Sequence, residues 1–138
     1  MATHIGVLDR GRLVQIGSPR AIYTDPVNTY VATRLGSPSI NLVPRRLYPD
    51  LAAPAEAATI GVRTEHVHIR KSANGGAAGR VKWIEHLGDQ NHLHVTIGDT
   101  EVVTLCDRNA SLVVGDAVDV ELTAPLFFAT NGERVRVN

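Results

Sequence analysis

Two pairs of histidines, His66-x-His68 and His92-x-His94, stand two residues apart, the spacing that places two imidazoles on one face of a β-strand. A zinc ion can use such a pair, but it also needs convergent third and fourth ligands. No cysteine pair or His-Glu motif supplies them, so the histidines are read as solvent-facing or hydrogen-bonded, and no metal or cofactor is expected. Glu65 and Glu85 are the candidate acid/base carboxylates. Nothing beside either would raise its pKa, and a salt bridge from Glu65 to an arginine such as Arg63 is the preferred reading. The run Asn74-Gly75-Gly76-Ala77-Ala78-Gly79 has the glycines of an anion-binding loop. It lacks the following Lys and Ser/Thr and precedes a strand, so it reads as a flexible hairpin connection. Cys106, the lone cysteine, lies in the apolar run Val102 to Cys106 and reads as a small buried residue, consistent with a reducing compartment. No catalytic residue is assigned.

The elements that must position these groups begin with a hairpin. Ile5, Val7 and Leu8 lead into Asp9-Arg10-Gly11, and Leu13, Val14 and Ile16 return, with Gly11 able to take the positive φ of the turn. Ser18 then serves as N-cap and Pro19 as first residue of a short helix through Ile22 and Tyr23. Asp25-Pro26 breaks it. From Asn28 a second helix carries Tyr30, Val31 and Leu35 on one face and closes at Gly36. Residues 1–36 are therefore expected to form an arm from a larger body.

After Ser37-Pro38 the pattern is β. Strands are expected at Ile40–Val43, Thr59–Val62, His66–Ile69, Arg80–Leu87, His92–Ile97, Glu101–Leu105, Ala117–Leu122 and Arg134–Val137, with turn-rich separators such as Gly98-Asp99, Gly115-Asp116 and Asn131-Gly132. Many short strands at this spacing point to a small barrel or sandwich. Tyr48 to Ala58, with Pro49, Pro54 and five alanines, is the expected linker or variable loop. Residues 37–138 make the second domain.

Composition bounds the function. With 138 residues and 43% hydrophobic content the chain can bury a core without staples. No apolar stretch is long enough to span a bilayer and the start lacks the order of a signal peptide, so a cytosolic location is expected. Fourteen basic residues balance fourteen acidic ones, which disfavours a nucleic-acid-binding OB module, as do only six aromatics. The charge is divided: residues 1–85 carry eleven Lys/Arg against six Asp/Glu, a net of +5, and residues 86–138 carry three against eight, a net of −5. Trp83, on Val81-Lys82-Trp83-Ile84-Glu85, shares a face with Val81 and Glu85 by alternation and suits either core or contact surface. Phe127, in the segment Pro125-Leu126-Phe127-Phe128 expected to close the barrel, joins Trp83 as a candidate interface residue.

The stretch from Ile5-Gly-Val-Leu-Asp-Arg-Gly through Gln15-Ile-Gly-Ser-Pro, Tyr23-Thr-Asp-Pro and Tyr30-Val-Ala resembles the end of the ATPase domain of carbohydrate-type ABC importers. Leu35-Gly-Ser-Pro-Ser-Ile-Asn-Leu42 resembles that family's junction into its accessory domain, and Ile60-Gly-Val-Arg-Thr-Glu-His66 its Gly-x-Arg-Pro-Glu-His segment. Gly79 to Gly88, with Val81, Glu85 and Leu87, resembles the opening of a transport-associated OB (TOBE) unit. Thr64 stands where the family has proline, so this turn loses a fixed φ and is expected to be more mobile.

The resemblance implies a mainly β fold, an OB-type antiparallel barrel preceded by a β-hairpin and two short helices. It also implies a regulatory and dimerisation role in an ABC-importer ATP-binding subunit for sugar or a similar solute. The implied partners are a second copy, the ATPase core and membrane permease subunits, with no nucleic acid and no membrane insertion. No Gly-x-x-x-x-Gly-Lys-Ser/Thr occurs and no glycine is followed by lysine, so the chain is not expected to hydrolyse ATP. The alternative is an oxyanion-sensing TOBE domain, for which the sequence offers no cradle of Ser, Lys and backbone N–H groups.

Overall fold

The computed structural model describes residues 4–36, 39–49, 51–72, 79–87, 90–107 and 112–136. Strands β1 (Ile5–Asp9) and β2 (Arg12–Gly17) form the expected hairpin. Arg10 and Gly11 take φ of 52° and 79°, so both central residues of the turn are left-handed, the backbone sense that matches strand twist in a two-residue hairpin loop. The sequence marked only Gly11 for this role.

Ser18 accepts from the Ala21 N–H and Pro19 begins helix α1 (Pro19–Thr24). Asn28 caps α2 (Thr29–Ala32) by accepting from the Val31 N–H. α2 is shorter than the apolar spacing suggested, and Gly36, at φ 96°, lies beyond it. Val7, Ile22 and Val31 form a small core with Ile5, Val14, Val27, Tyr30 and Leu35 around them. On the hairpin's other face Leu8, Leu13 and Ile16 are each more than half exposed.

The remaining strands are β3 (Asn41–Pro44), β4 (Thr59–Val62), β5 (Val67–Lys71), β6 (Gly79–Leu87), β7 (Gln90–Ile97), β8 (Thr100–Asp107), β9 (Ala117–Leu122), β10 (Leu126–Phe128) and β11 (Arg134–Val135). All pairings are antiparallel. They form a four-stranded sheet, β11-β10-β4-β3, and a five-stranded sheet, β5-β9-β6-β7-β8. The fold is mainly β, as the sequence implied, but among the described residues these sheets do not close into one barrel. The chain leaves the first sheet at a 3-10 turn, Thr64–His66, and enters the second as β5, so the two halves meet through side chains.

One core gathers Val43, Val81, Leu93, Val95, Ile97, Val102 and Val118; the next joins Ile60, Val62, Val67, Leu122 and Phe127. Tyr48 packs on both, and Leu51, Ala53 and buried Ala57 pack on the second. The segment Tyr48 to Ala58 is therefore not a free linker: its apolar residues cover the seam between sheets. Burial pushes the Tyr48 phenol up to about 12.

Two further placements differ from the sequence reading. His66 belongs to the 3-10 turn, so it does not share a strand face with His68. A bulge between Val81 and Trp83 shifts the β6 register, so Val81 is buried while Trp83 points outward opposite His94. The run Asn74–Ala78 and the side chain of Cys106 lie outside the described residues.

Candidate functional site

Arg63 leaves the end of β4 and its side chain is buried at the foot of the arm. Its Nη1 donates to the carbonyls of Ala32 and Leu35, each at 3.0 Å, and its Nη2 donates to the Tyr23 carbonyl at 2.7 Å. The guanidinium also lies over the Tyr23 ring, 3.9 Å from its centroid. One planar cation thus satisfies carbonyls from both arm helices, which a lysine ammonium cannot span in the same way. Burial lowers the Arg63 pKa, with Tyr23 and Glu65 acting against it.

Glu65 faces Tyr23 rather than Arg63. The Tyr23 hydroxyl shares its proton between the two Glu65 oxygens, 2.9 and 2.8 Å away. In place of the expected Glu65–Arg63 salt bridge, the Arg63 Nη1 and Nη2 donors go to backbone carbonyls, while its buried Nε has no hydrogen-bond partner. Desolvation opposes ionisation of Glu65. Hydrogen bonds from its own backbone N–H and from Tyr23, with the charges of His66 and Arg63, nevertheless hold its pKa below the usual value. Desolvation, then the Glu65 contact, raises that of Tyr23.

A second set of contacts ties the arm to the four-stranded sheet. Arg134 and Arg136 both donate to one Asp25 oxygen, at 2.6 and 2.7 Å. The backbone adds Thr29 N–H to Gly132 O and Arg134 N–H to Val27 O, each 2.9 Å. Thr64, expected in a looser turn, is buried, and the Thr104 hydroxyl shares its proton between the carbonyls of Thr64 and Val67 at 2.9 and 2.8 Å. Asn41 bridges the two sheets, donating to Val103 O and accepting from Val103 N–H at 2.8 and 2.7 Å.

A pocket of about 270 Å³ opens beside this junction, lined by Tyr23, Thr24, Arg63, Glu65, His66, Ala124 and Leu126. It is a poor oxyanion cradle: three of the Arg63 donor contacts go to carbonyls and the Glu65 carboxylate repels an anion.

Residues 60–126 match the TOBE domain family. The chain carries a TOBE domain. Among its relatives, the sn-glycerol-3-phosphate import ATP-binding protein UgpC of Brucella abortus is 33% identical over 113 residues, covering 72% of this chain and 31% of its own length. UgpC of Rhizobium meliloti is 31% identical, covering 90% of this chain and 39% of its own length. The lactose transport ATP-binding protein LacK of Rhizobium radiobacter is 29% identical, covering 99% of this chain and 45% of its own length. The chain thus spans less than half the length of these relatives.

Within the β domain, the structure separates the two candidate interface residues. Trp83 is 51% exposed and stacks on His94, with ring centroids 4.5 Å apart. Phe127, just past the matched segment, is 4% exposed and belongs to the core, because β10 pairs with β4 and turns it between the sheets. It has no surface to offer a partner. Glu65 and Glu85 are not brought together as an acid/base pair: Glu65 serves the junction and Glu85 faces His92 and His94. Sequence reasoning gave Arg63 to Glu65 as a salt-bridge partner, read Tyr23 and Asp25 only as parts of a helix and its break, and assigned no role to Arg134 and Arg136. Their signal, polar residues at the ends of short apolar elements, has meaning only once distant segments meet.

Proposed function

We propose that the chain is the accessory region of an ABC-importer ATP-binding subunit for sugar or a similar solute, with regulation and subunit pairing as its role and no ATPase activity of its own. The observation that carries this reading is the Arg63 junction. A TOBE-domain cation holds carbonyls from both helices of the arm, and the arm is the part whose sequence resembles the end of an ATPase domain. A rigid connection of this kind passes a movement of the arm to the β domain. Leu8, Leu13 and Ile16, exposed on the hairpin, suit packing on an ATPase core. In this reading residues 1–36 are the tail of the ATPase domain and residues 37–138 the accessory domain. The protein works at the cytoplasmic side of the membrane with permease subunits; no described helix is long and apolar enough to cross a bilayer.

Pairing of two β domains is part of the proposal, with Trp83 at the contact and the +5/−5 division of charge setting orientation. Exposed ion pairs contribute only about 0–1 kcal/mol each, so affinity has to come from apolar burial. Sedimentation at tens of micromolar, at low salt and then near about 0.5 M, where the Debye length falls to roughly 4 Å, tests this. A dimer that persists in high salt and weakens in Trp83→Ala is expected. A monomer under all conditions refutes autonomous pairing, and calorimetric ATP binding by the isolated chain refutes the assignment of nucleotide chemistry to another region.

A further inference from the structure

The pocket beside the Arg63 junction is walled mainly by hydrogen-bond acceptors and carbon. The Glu65 carboxylate, held ionised by the contacts already described, can only accept. The Tyr23 hydroxyl donates its proton to Glu65, and the Thr24 hydroxyl donates to the Arg20 carbonyl at 2.9 Å, so each leaves oxygen lone pairs for a further partner. The Nη1 and Nη2 groups of Arg63 already bind three carbonyls, and its Nε is out of contact with solvent. Leu126 and Ala124 supply apolar wall, and the His66 ring completes the lining.

Such a wall selects a ligand that donates, and the two charges at the junction decide which donor. A cationic amine sets its charge against the Arg63 guanidinium, and a phosphate or sulfate sets its own against Glu65. A neutral polyhydroxyl molecule meets neither repulsion: its hydroxyls donate to Glu65, Tyr23 and Thr24 while its C–H face lies on Leu126 and Ala124. The volume of about 270 Å³ falls just below the range of drug-sized sites, which suits a single sugar ring. The connection from β9 to β10 bends at Ala124, φ 47°, a left-handed conformation that a Cβ disfavours, and backbone strain of this kind gathers at ligand clamps.

We propose that this pocket binds a neutral polyol of monosaccharide size, with Glu65 as its principal acceptor and Tyr23 and Thr24 as secondary ones. A ligand there touches α1, the turn after β4 and the β9–β10 connection at once, and so adds to the contacts by which Arg63 holds the arm. Occupancy then couples a small molecule to the arm's attachment. The regulatory meaning of that coupling rests on the accessory-region reading above; the binding itself rests on the pocket.

Polyols at high concentration stabilise most proteins by exclusion from the surface, so a melting shift decides nothing here. Amide chemical shifts of the isotope-labelled chain do. D-glucose or D-galactose, titrated to about 100 mM, is expected to give saturable shifts at Tyr23, Thr24, Glu65, His66 and Ala124, with millimolar affinity. Glucosamine and glucose 6-phosphate, the same ring with a positive or a negative charge, should bind at least about threefold more weakly. Glu65→Gln should weaken the hexose about tenfold or more through loss of the charged acceptor. Thr24→Val, which removes a hydroxyl bonded only within α1, should leave the fold intact and weaken it about threefold. The proposal is overturned if neither hexose gives saturable shifts at these residues, if glucosamine binds more tightly than glucose, or if folded Glu65→Gln keeps the parent affinity. A chain that binds no hexose leaves the sedimentation and ATP tests of the accessory-region reading to stand on their own results, and a hexose-binding chain that also binds ATP removes that reading while keeping this site.

Discussion

Replacing Arg63 with methionine keeps the length and apolar stem of the side chain but removes every donor. The carbonyls of Tyr23, Ala32 and Leu35 lose bonds of 2.7, 3.0 and 3.0 Å, and the Tyr23 ring loses the cation above it. Water can enter from the adjoining pocket, so the lower end of the range applies. Taking about 1 kcal/mol for each bond and about 1 kcal/mol for the cation–π contact puts the loss at about 4 kcal/mol. Arg63→Lys keeps the charge without the planar fork and should recover about half of that. Urea denaturation followed by circular dichroism reads the global change. Hydrogen exchange reads where it falls, and amides of α1 and α2 should lose protection before those of β7. A loss below about 1 kcal/mol in Arg63→Met, with arm protection unchanged, would refute the view that this cation holds the arm to the β domain.

Phe127→Ala, in the core rather than at an interface, should cost about 3–5 kcal/mol in urea denaturation, with any self-association of the folded fraction unchanged. At Gly61 an added Cβ meets Phe128 Cε2 at 2.7 Å and Ile40 Cδ1 at 3.2 Å. Gly61→Ala should therefore destabilise by about 1–3 kcal/mol, and Gly61→Ala combined with Phe128→Leu by less than the two single changes together. The Asp25 pKa is lowered mainly by the hydrogen bond from Arg136, with desolvation opposing and Arg134 adding to it. A depressed carboxyl stabilises the fold above its unfolded pKa, so the stability gap between parent and Asp25→Asn should be fully present above pH 3.8 and shrink as pH falls through the lower folded value. With Asp25 half exposed that gap should stay within about 1 kcal/mol, and a gap that widens on acidification would contradict the pairing.

Local chemistry determined much of this protein from the sequence alone. Ser18-Pro19 starts a helix because a side-chain oxygen caps a free N–H and the proline needs none. The alternation from His92 to Ile97 makes a half-buried strand because side chains on a strand face opposite ways. The order of motifs from Ile5 to Gly88 carried the family resemblance, since it depends on linear spacing. What involves one extra residue or a distant partner was decided only in three dimensions. The bulge before Trp83 reversed its face, which alternation by two cannot anticipate. Phe127 went inward because β10 found β4, more than sixty residues back in the chain. Arg63 and Glu65 looked like neighbours suited to each other. The arm offered one of them three backbone carbonyls and the other a tyrosine hydroxyl, and a buried polar group takes the partners that its surroundings leave unsatisfied.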